Sequence, residues 1–344
     1  MHLALLVPVP WDAVSGGYAY DRRIVAGLRP AGHTVDVIEL PGRHPLADDI
    51  ARHAARTALD ALAPSARPLI DGLGLPAFAG TEDALEARQA VALIHYPVSM
   101  ETGFSEHDQA ALHAIEQRLL PRLARIIVTS EATAARLADG YAVARDRIAI
   151  VPPGTDDAPR AAGSNSPGCA ILSVGALTPR KGHDVLLRAL ARLFDLDWHL
   201  TIAGSAERDP VHARTLIARA EDLNIAQRVT FAGEVSDPAL EALWQGADLF
   251  ALATQWEGYG MAIAEALKRG LPVAATSGGA AAAQLTPECS AVCKPGDHEQ
   301  LSKAMRRLIF DTELRRDMAV AAWQIGRALP SWDTATRDFA QALA

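Results

Sequence analysis

Short apolar runs alternate with amphipathic stretches along all 344 residues, a rhythm that restricts the chain to folds built from repeated βα units around parallel sheets. In the first half these runs predict strands at 2–8, 34–39, 68–71, 91–95, 125–129 and 147–151. Helical patterns fall between them near 18–30, 46–62, 106–120 and 130–139. In the second half the predicted strands are 169–174, 198–203, 228–232, 248–253, 271–275 and 290–293. The helix expected at 182–194 carries Val185, Leu186, Ala189, Leu190, Leu193 and Phe194 on one stripe. Asp297, with Gln300 three residues on, reads as a capping box at a later helix start.

One stretch breaks the rhythm. Pro152-Pro153-Gly154 through Pro167-Gly168 is rich in Pro, Gly, Ser, Asn and Asp without periodicity, and reads as a linker at 153–168. At roughly 150 residues per domain, the length agrees with two α/β domains, 1–152 and 169–330. Two doubly wound domains of this kind are expected to face each other across a cleft at the carboxyl ends of their strands, where such sheets bind ligands.

Charge removes several function classes. The chain holds 33 Lys+Arg against 41 Asp+Glu for a net −8, and acidic residues prevail in both halves. Neither a nucleic-acid footprint nor docking on anionic lipid is supported. Three cysteines make no disulfide scaffold, and Cys289 and Cys293 lack the second pair that a zinc site needs. Met1–Pro10 lacks the basic region of a signal peptide and reads as a first strand. No apolar run reaches the roughly 18 residues of a membrane span, so the expectation is a soluble, cytoplasmic protein. Only Lys181, Lys268, Lys294 and Lys303 are lysines, which makes a lysine in a loop informative.

The most informative loop is Glu257-Gly258-Tyr259-Gly260-Met261, leading from a strand into a helix that carries Glu265. Gly258 and Gly260 let backbone approach a ligand, the helix start offers N–H groups, and the two carboxylates accept hydrogen bonds from hydroxyls. The competing reading is a structural turn with a solvated Glu257. A second strand–loop–helix element holds Arg180-Lys181-Gly182, cations suited to a diphosphate, or simply two surface charges. Ser15-Gly16-Gly17 sits between the first strand and helix. His95 ends a strand, where it either faces a ligand or is a satisfied structural histidine. Ala203-Gly204-Ser205 and Gly233-Glu234-Val235 are further strand ends on the same rim. Gly72-Leu73-Gly74-Leu75-Pro76-Ala77 fits a dinucleotide pattern, but Pro76 disturbs the helix opening and the match is not on the first strand. Asp195-Leu196-Asp197 reads as a turn, and His107 and His113 lack a metal-ligand partner set.

Taken together, these loops resemble glycosyltransferase family 4, the retaining enzymes of GT-B architecture. The carriers are Glu257 and Glu265 with seven residues between, Arg180-Lys181-Gly182, Ala203-Gly204-Ser205 and Arg228 to Val235. Ser15-Gly16-Gly17, His95 and Val151-Pro152-Pro153-Gly154-Thr155 extend the likeness to the first half. The resemblance implies a nucleotide-sugar donor, UDP- or GDP-linked, and hexosyl transfer with retention, without a metal or other cofactor. It implies that Lys181 and Arg180 neutralise the diphosphate, Glu257 binds the sugar and Glu265 the ribose. The Gly258–Met261 turn, Tyr259 and Gly260 included, would hold sugar hydroxyls, and Gly16 and Gly17 would approach the phosphates. Ser205 would join the donor site, Glu234 and Val235 would border the base, and His95 would orient the sugar. A terminal helix at 333–344 would join the first domain. The acceptor is expected to be a small soluble molecule.

One departure stands out: members of the family commonly carry arginine directly after Gly175, where this chain has Ala176. It motivates one alternative, a catalytically weak nucleotide-sugar binder; the others are a nicotinamide-dependent oxidoreductase resting on Gly72–Ala77 and a non-transferring relative such as an epimerase.

Overall fold

Leu3, Ala4, Leu5, Leu6 and Val7 are each at most 1% exposed, which a strand achieves only when helices cover both faces of its sheet. The computed structural model describes residues 1–344 and divides them into two units, Met1–Gly154 with Pro330–Ala344, and Thr155–Leu329. In the first unit the order is β1 (His2–Pro8), α1 (Gly16–Leu28), β2 (Thr34–Leu40), α2 (Asp49–Ala61), β3 (Ala66–Asp71), α3 (Glu82–Ala87), β4 (Val91–Ile94), α4 (Glu106–Leu119), β5 (Arg125–Val128), α5 (Glu131–Gly140) and β6 (Ile148–Ile150). The sheet is parallel with order β2-β1-β3-β4-β5-β6, so the chain reverses its direction of travel between β1 and β3. Ala4, Leu6, Ile70, Ala92, Ile94 and Ile126 face a core layer shared with α2, α4 and α5.

The second unit runs β7 (Cys169–Val174), α6 (His183–Ala191), β8 (Trp198–Ala203), α7 (Pro210–Asp222), β9 (Val229–Gly233), α8 (Asp237–Gln245), β10 (Leu249–Leu252), α9 (Met261–Lys268), β11 (Val273–Thr276), β12 (Ser290–Cys293), α10 (His298–Phe310) and α11 (Thr312–Ala328). Its parallel sheet has the order β9-β8-β7-β10-β11-β12, reversing between β7 and β10. Alternate strand residues feed two separate cores. Ile171, Leu249, Ala251 and Ala274 meet α6, α7 and α10, while Leu172, Phe250, Leu252, Val273 and Ala275 meet α8, α9 and α11. The unit is doubly wound, with helices on both faces. No helix in the chain is long and apolar enough to cross a membrane.

The stretch read as a linker is instead laid onto the second unit. Ala161 donates to the Arg269 carbonyl at 2.9 Å, and Ala162 and Gly163 donate to that of Gln245 at 3.1 and 3.0 Å. Asp248 accepts from Ser164, and Asp157 pairs with Lys268 at 2.9 Å. Composition foretells the lack of periodicity here, but not that these polar groups find acceptors on neighbouring helices and strands. Two smaller expectations change as well. α6 ends at Ala191, which leaves Phe194 81% exposed rather than on the buried stripe. Asp297 caps Gln300 at 2.9 Å, but its own N–H goes to the Lys294 carbonyl, so half of the capping box forms.

The chain returns to the first unit with α12 (Trp332–Leu343), which packs on α1 and β5. Ser331 caps its start, and Arg67 and Arg125 donate to the carbonyls of Leu343 and Ala342 at 2.7 and 3.2 Å. Cations at these last carbonyls also oppose the helix dipole. Phe339 and Leu343 are fully buried on the inner side. Replacing Phe339 by Ala is expected to cost about 3–5 kcal/mol, read as an earlier urea-unfolding transition.

Candidate functional site

β7 and β10 are neighbours at the reversal of the second sheet, and the loops that follow them diverge there to leave a ligand crevice in folds of this type. The first loop carries Arg180 and Lys181 in a single tight turn (Pro179–Lys181), the second Thr254 to Gly260. The structure joins them. Lys181 Nζ donates to Glu257 Oε1 at 2.6 Å, and Thr254 Oγ1 lies 3.1 Å from the same oxygen. Arg180 donates to the Trp256 carbonyl at 2.8 Å with its guanidinium 3.6 Å from Glu257. The Gln255 N–H closes the backbone link to the Arg180 carbonyl at 2.7 Å.

Gly182 fixes where this cation pair falls. Its φ is 66°, and a Cβ there would run into the Ala253 carbonyl oxygen, so only glycine lets the loop lie so close to β10. Glu257 is buried, and burial alone would raise its pKa. The charges of Lys181 and then Arg180, with hydrogen bonds from Lys181 and Thr254, outweigh that and hold it below the ordinary value. The carboxylate is therefore ionised and balanced by two cations.

The ends of β7, β8 and β9 are stitched side by side. Gly175 donates to Ala203, Leu177 to Ser205 and Gly204 to Gly233, at 2.9, 2.9 and 2.8 Å. This aligns Ser205 with exposed Glu234 and half-buried Val235 along one edge. Gly258, Tyr259, Gly260 and Met261 make the turn into α9, whose start at Gly260 has no side-chain cap. Burial pushes the Tyr259 phenol up to about 12. Glu265 lies one turn into α9. Burial pushes its carboxyl up to about 7, Arg269 partly offsets this, and Asp156 and Glu241 add to it. Arg269 directs its guanidinium to Glu241 at 2.5 Å instead.

Gly16, Gly17 and His95 belong to the first unit. Ser15 caps α1, accepting from the Tyr18 N–H at 3.2 Å. A Cβ on Gly17 would stand 3.0 Å from His95 Cδ2, so the imidazole lies directly against the start of α1. Two carboxylates that sequence reasoning missed complete this environment. His95 Nε2 is 3.0 Å from Asp21 Oδ1, and Asp21, Asp71 and His95 each bring one ligating atom within 4.8 Å of the others. Asp21 stands among Tyr20, Ile24, Val25 and Leu28 on the inward face of α1, and Asp71 closes the apolar run of β3. A charge at a core-facing position is the signal that could have found them. Gly72 and Gly74 follow β3 but lead into a short 3₁₀ turn at Leu75–Phe78, not into the α-helix that a dinucleotide fingerprint requires.

Known proteins resemble this chain along most of its length. Residues 155–324 match the family described as Glycosyl transferases group 1, and residues 15–158 match Glycosyltransferase Family 4. A D-inositol 3-phosphate glycosyltransferase of Nocardia farcinica is 29% identical over 242 residues, covering 66% of this chain and 51% of the relative. The chain thus spans about half the length of the curated relatives it matches. The structure of sucrose-phosphate synthase from Thermosynechococcus elongatus superposes with a TM-score of 0.82 at 20% identity, covering 99% of this chain and 98% of that one. Anabaena Alr3699/HepE in complex with UDP and glucose gives 0.76 at 18% identity, covering 99% of both. These likenesses show the two-domain Rossmann-like fold.

The charge pair generates its own test. Lys181→Met leaves Glu257 buried without its nearest cation and is expected to cost about 3–5 kcal/mol at neutral pH. Because the folded pKa of Glu257 is depressed, its stabilisation is present above the unfolded value and fades as pH falls through the folded one. The gap between wild type and variant in thermal unfolding is therefore expected to shrink as pH falls through the depressed value at which Glu257 takes up a proton.

Proposed function

The chain belongs to glycosyltransferase family 4, and from that premise we propose that it transfers a hexosyl group, with retention, from a UDP- or GDP-linked sugar to a small acceptor. The observation that carries the reading is the Arg180–Lys181–Glu257 network at the strand reversal of the second unit. Two cations beside an ionised carboxylate offer both halves of what a nucleotide sugar presents, a diphosphate and a polyol. Lys181 and Arg180 neutralise the diphosphate as the bond from the anomeric carbon to its phosphate oxygen breaks. The acceptor oxygen bonds that carbon from the same face, and its proton passes to the departing phosphate oxygen. Charge neutralisation on the leaving group is then the largest catalytic term, and it requires no metal. The Arg180 guanidinium stands in for the arginine that Ala176 replaces.

Glu257 and the Gly258–Met261 backbone hold sugar hydroxyls, Ser205 joins the donor site, and Glu234 and Val235 border the base. Gly16 and Gly17 approach the phosphates, and His95 orients the sugar. Glu265 accepts from the ribose hydroxyls, which favours its ionised form. Since its carboxyl is held near 7 in the free protein, binding the nucleotide releases a proton.

The deciding experiment is thermal unfolding with UDP, GDP, ADP and NAD in parallel. A ligand at about 100 times its Kd adds about 2.7 kcal/mol, so UDP or GDP is expected to raise the melting temperature by several degrees. Stabilisation by NAD alone overturns the reading. With the stabilising donor class, Lys181→Ala is expected to lower transfer at least about a hundredfold. Binding without product across a broad acceptor panel would favour a nucleotide-sugar binder instead. Nucleotide affinity is expected to rise with pH through about 7 and to become flat in Glu265→Gln, measured by calorimetry in two buffers.

A further inference from the structure

Three ionisable side chains from three elements converge at the strand reversal of the first sheet. Asp21 comes from α1, Asp71 from the end of β3 and His95 from the end of β4. Asp21 is 1% and Asp71 2% exposed. The imidazole has little freedom. Gly17 backs one side, Tyr20 meets it edge-on at 5.4 Å between ring centres, and Thr133 Oγ1 lies 3.4 Å from the His95 carbonyl.

Two buried carboxylates this close cannot both ionise cheaply. Asp71 Oδ1 already accepts the Leu73 N–H at 2.9 Å, and Asp21 Oδ1 takes the imidazole. Asp21 Oδ2 remains, buried and without a hydrogen-bond partner. One proton on the pair relieves the repulsion between the two carboxylates. It leaves one negative charge in the cluster, facing the ring.

We propose that Asp21 and Asp71 are positioning residues for His95, sharing one proton so that a single buried negative charge keeps the imidazole protonated with its Nε2–H on Asp21. Nδ1–H is then the ring donor available to a ligand, and its charge suits an electron-rich sugar oxygen or phosphate. The proposal rests on the glycosyl-transfer reading only for the consequence of that charge. The surrounding electrostatics agree. Burial would depress the His95 pKa, but the charge and hydrogen bond of Asp21, then Asp71, carry it above the ordinary value. Burial first, and Asp21 second, push Asp71 up to about 7. Tyr20 stays neutral, its pKa raised by burial and by Asp21 and Asp338.

The test uses the full chain and reads the ring directly. The His95 ring signal, assigned by its loss in His95→Gln, is followed by NMR across pH in wild type, Asp21→Asn and Asp71→Asn. His95 is expected to titrate above a free histidine in wild type and at least about one unit lower in Asp21→Asn, a tenfold loss of proton affinity. The drop in Asp71→Asn is expected to be smaller. An unchanged His95 titration in Asp21→Asn overturns the proposal. So does a stoichiometric divalent metal that copurifies with wild type and is lost in Asp71→Asn, because the cluster would then be a ligand set. In turnover, Asp21→Asn is expected to lower kcat about tenfold near pH 8 with donor KM little changed, and to recover towards pH 6 as the ring regains its proton. An equal loss at both pH values marks a purely structural role and overturns the proposal. If wild type turns over no donor, the transfer reading fails while the NMR titration still decides the cluster.

Discussion

A buried carboxylate survives only beside positive charge, and in the second unit that requirement ties two loops together. Glu257, after β10, would take up a proton in an apolar surrounding; Lys181 and Arg180, after β7, keep it ionised. The glycine that seats the cations against β10, the backbone link from Gln255 to Arg180, and the uncapped start of α9 all sit within this small region. Removing the charge pair would leave the strand ends in place but deprive the crevice of the groups that recognise a charged polyol. Fold and chemistry meet because the strand order reverses where these loops emerge.

Much of this was legible in the sequence. Runs such as Leu3–Val7 and Leu249–Leu252 are apolar at every position, and only strands covered on both faces need that. The strand–loop–helix pattern places Arg180, Lys181 and Glu257 on loops and Glu265 on the helix that follows. Their partnership was not legible, since Lys181 and Glu257 are 76 residues apart and only the neighbouring of β7 and β10 joins them. The polar stretch at 155–168 misled for a related reason. Turn-forming composition reports the absence of a repeat, whereas Asp248, Gln245 and Arg269, which anchor that stretch, lie in remote segments.

The environment of His95 marks the other boundary of sequence reasoning. A histidine at a strand end reads equally well as ligand or as packing. What distinguishes the readings is the pair of acids that surround it, one from a helix and one from another strand. Asp21 is anomalous in its own helix because a carboxylate on the apolar face costs stability unless something repays the burial. That anomaly was visible as a pattern violation, but its meaning depended on the spatial order of β1, β3 and β4.

The path of the chain has a consequence for synthesis. The first unit comprises Met1–Gly154 and Pro330–Ala344, so the second unit is an insertion within it. While a ribosome makes the chain, the part of α1 that α12 covers stays open until Trp332–Leu343 has emerged, long after β6. The second unit, continuous in sequence, has all its strands and helices before that point. The nascent chain therefore completes its later unit first, and Tyr20 and Gly27, which meet Trp332 and Thr336 in the finished fold, stay open to chaperones or to wrong partners in the interval.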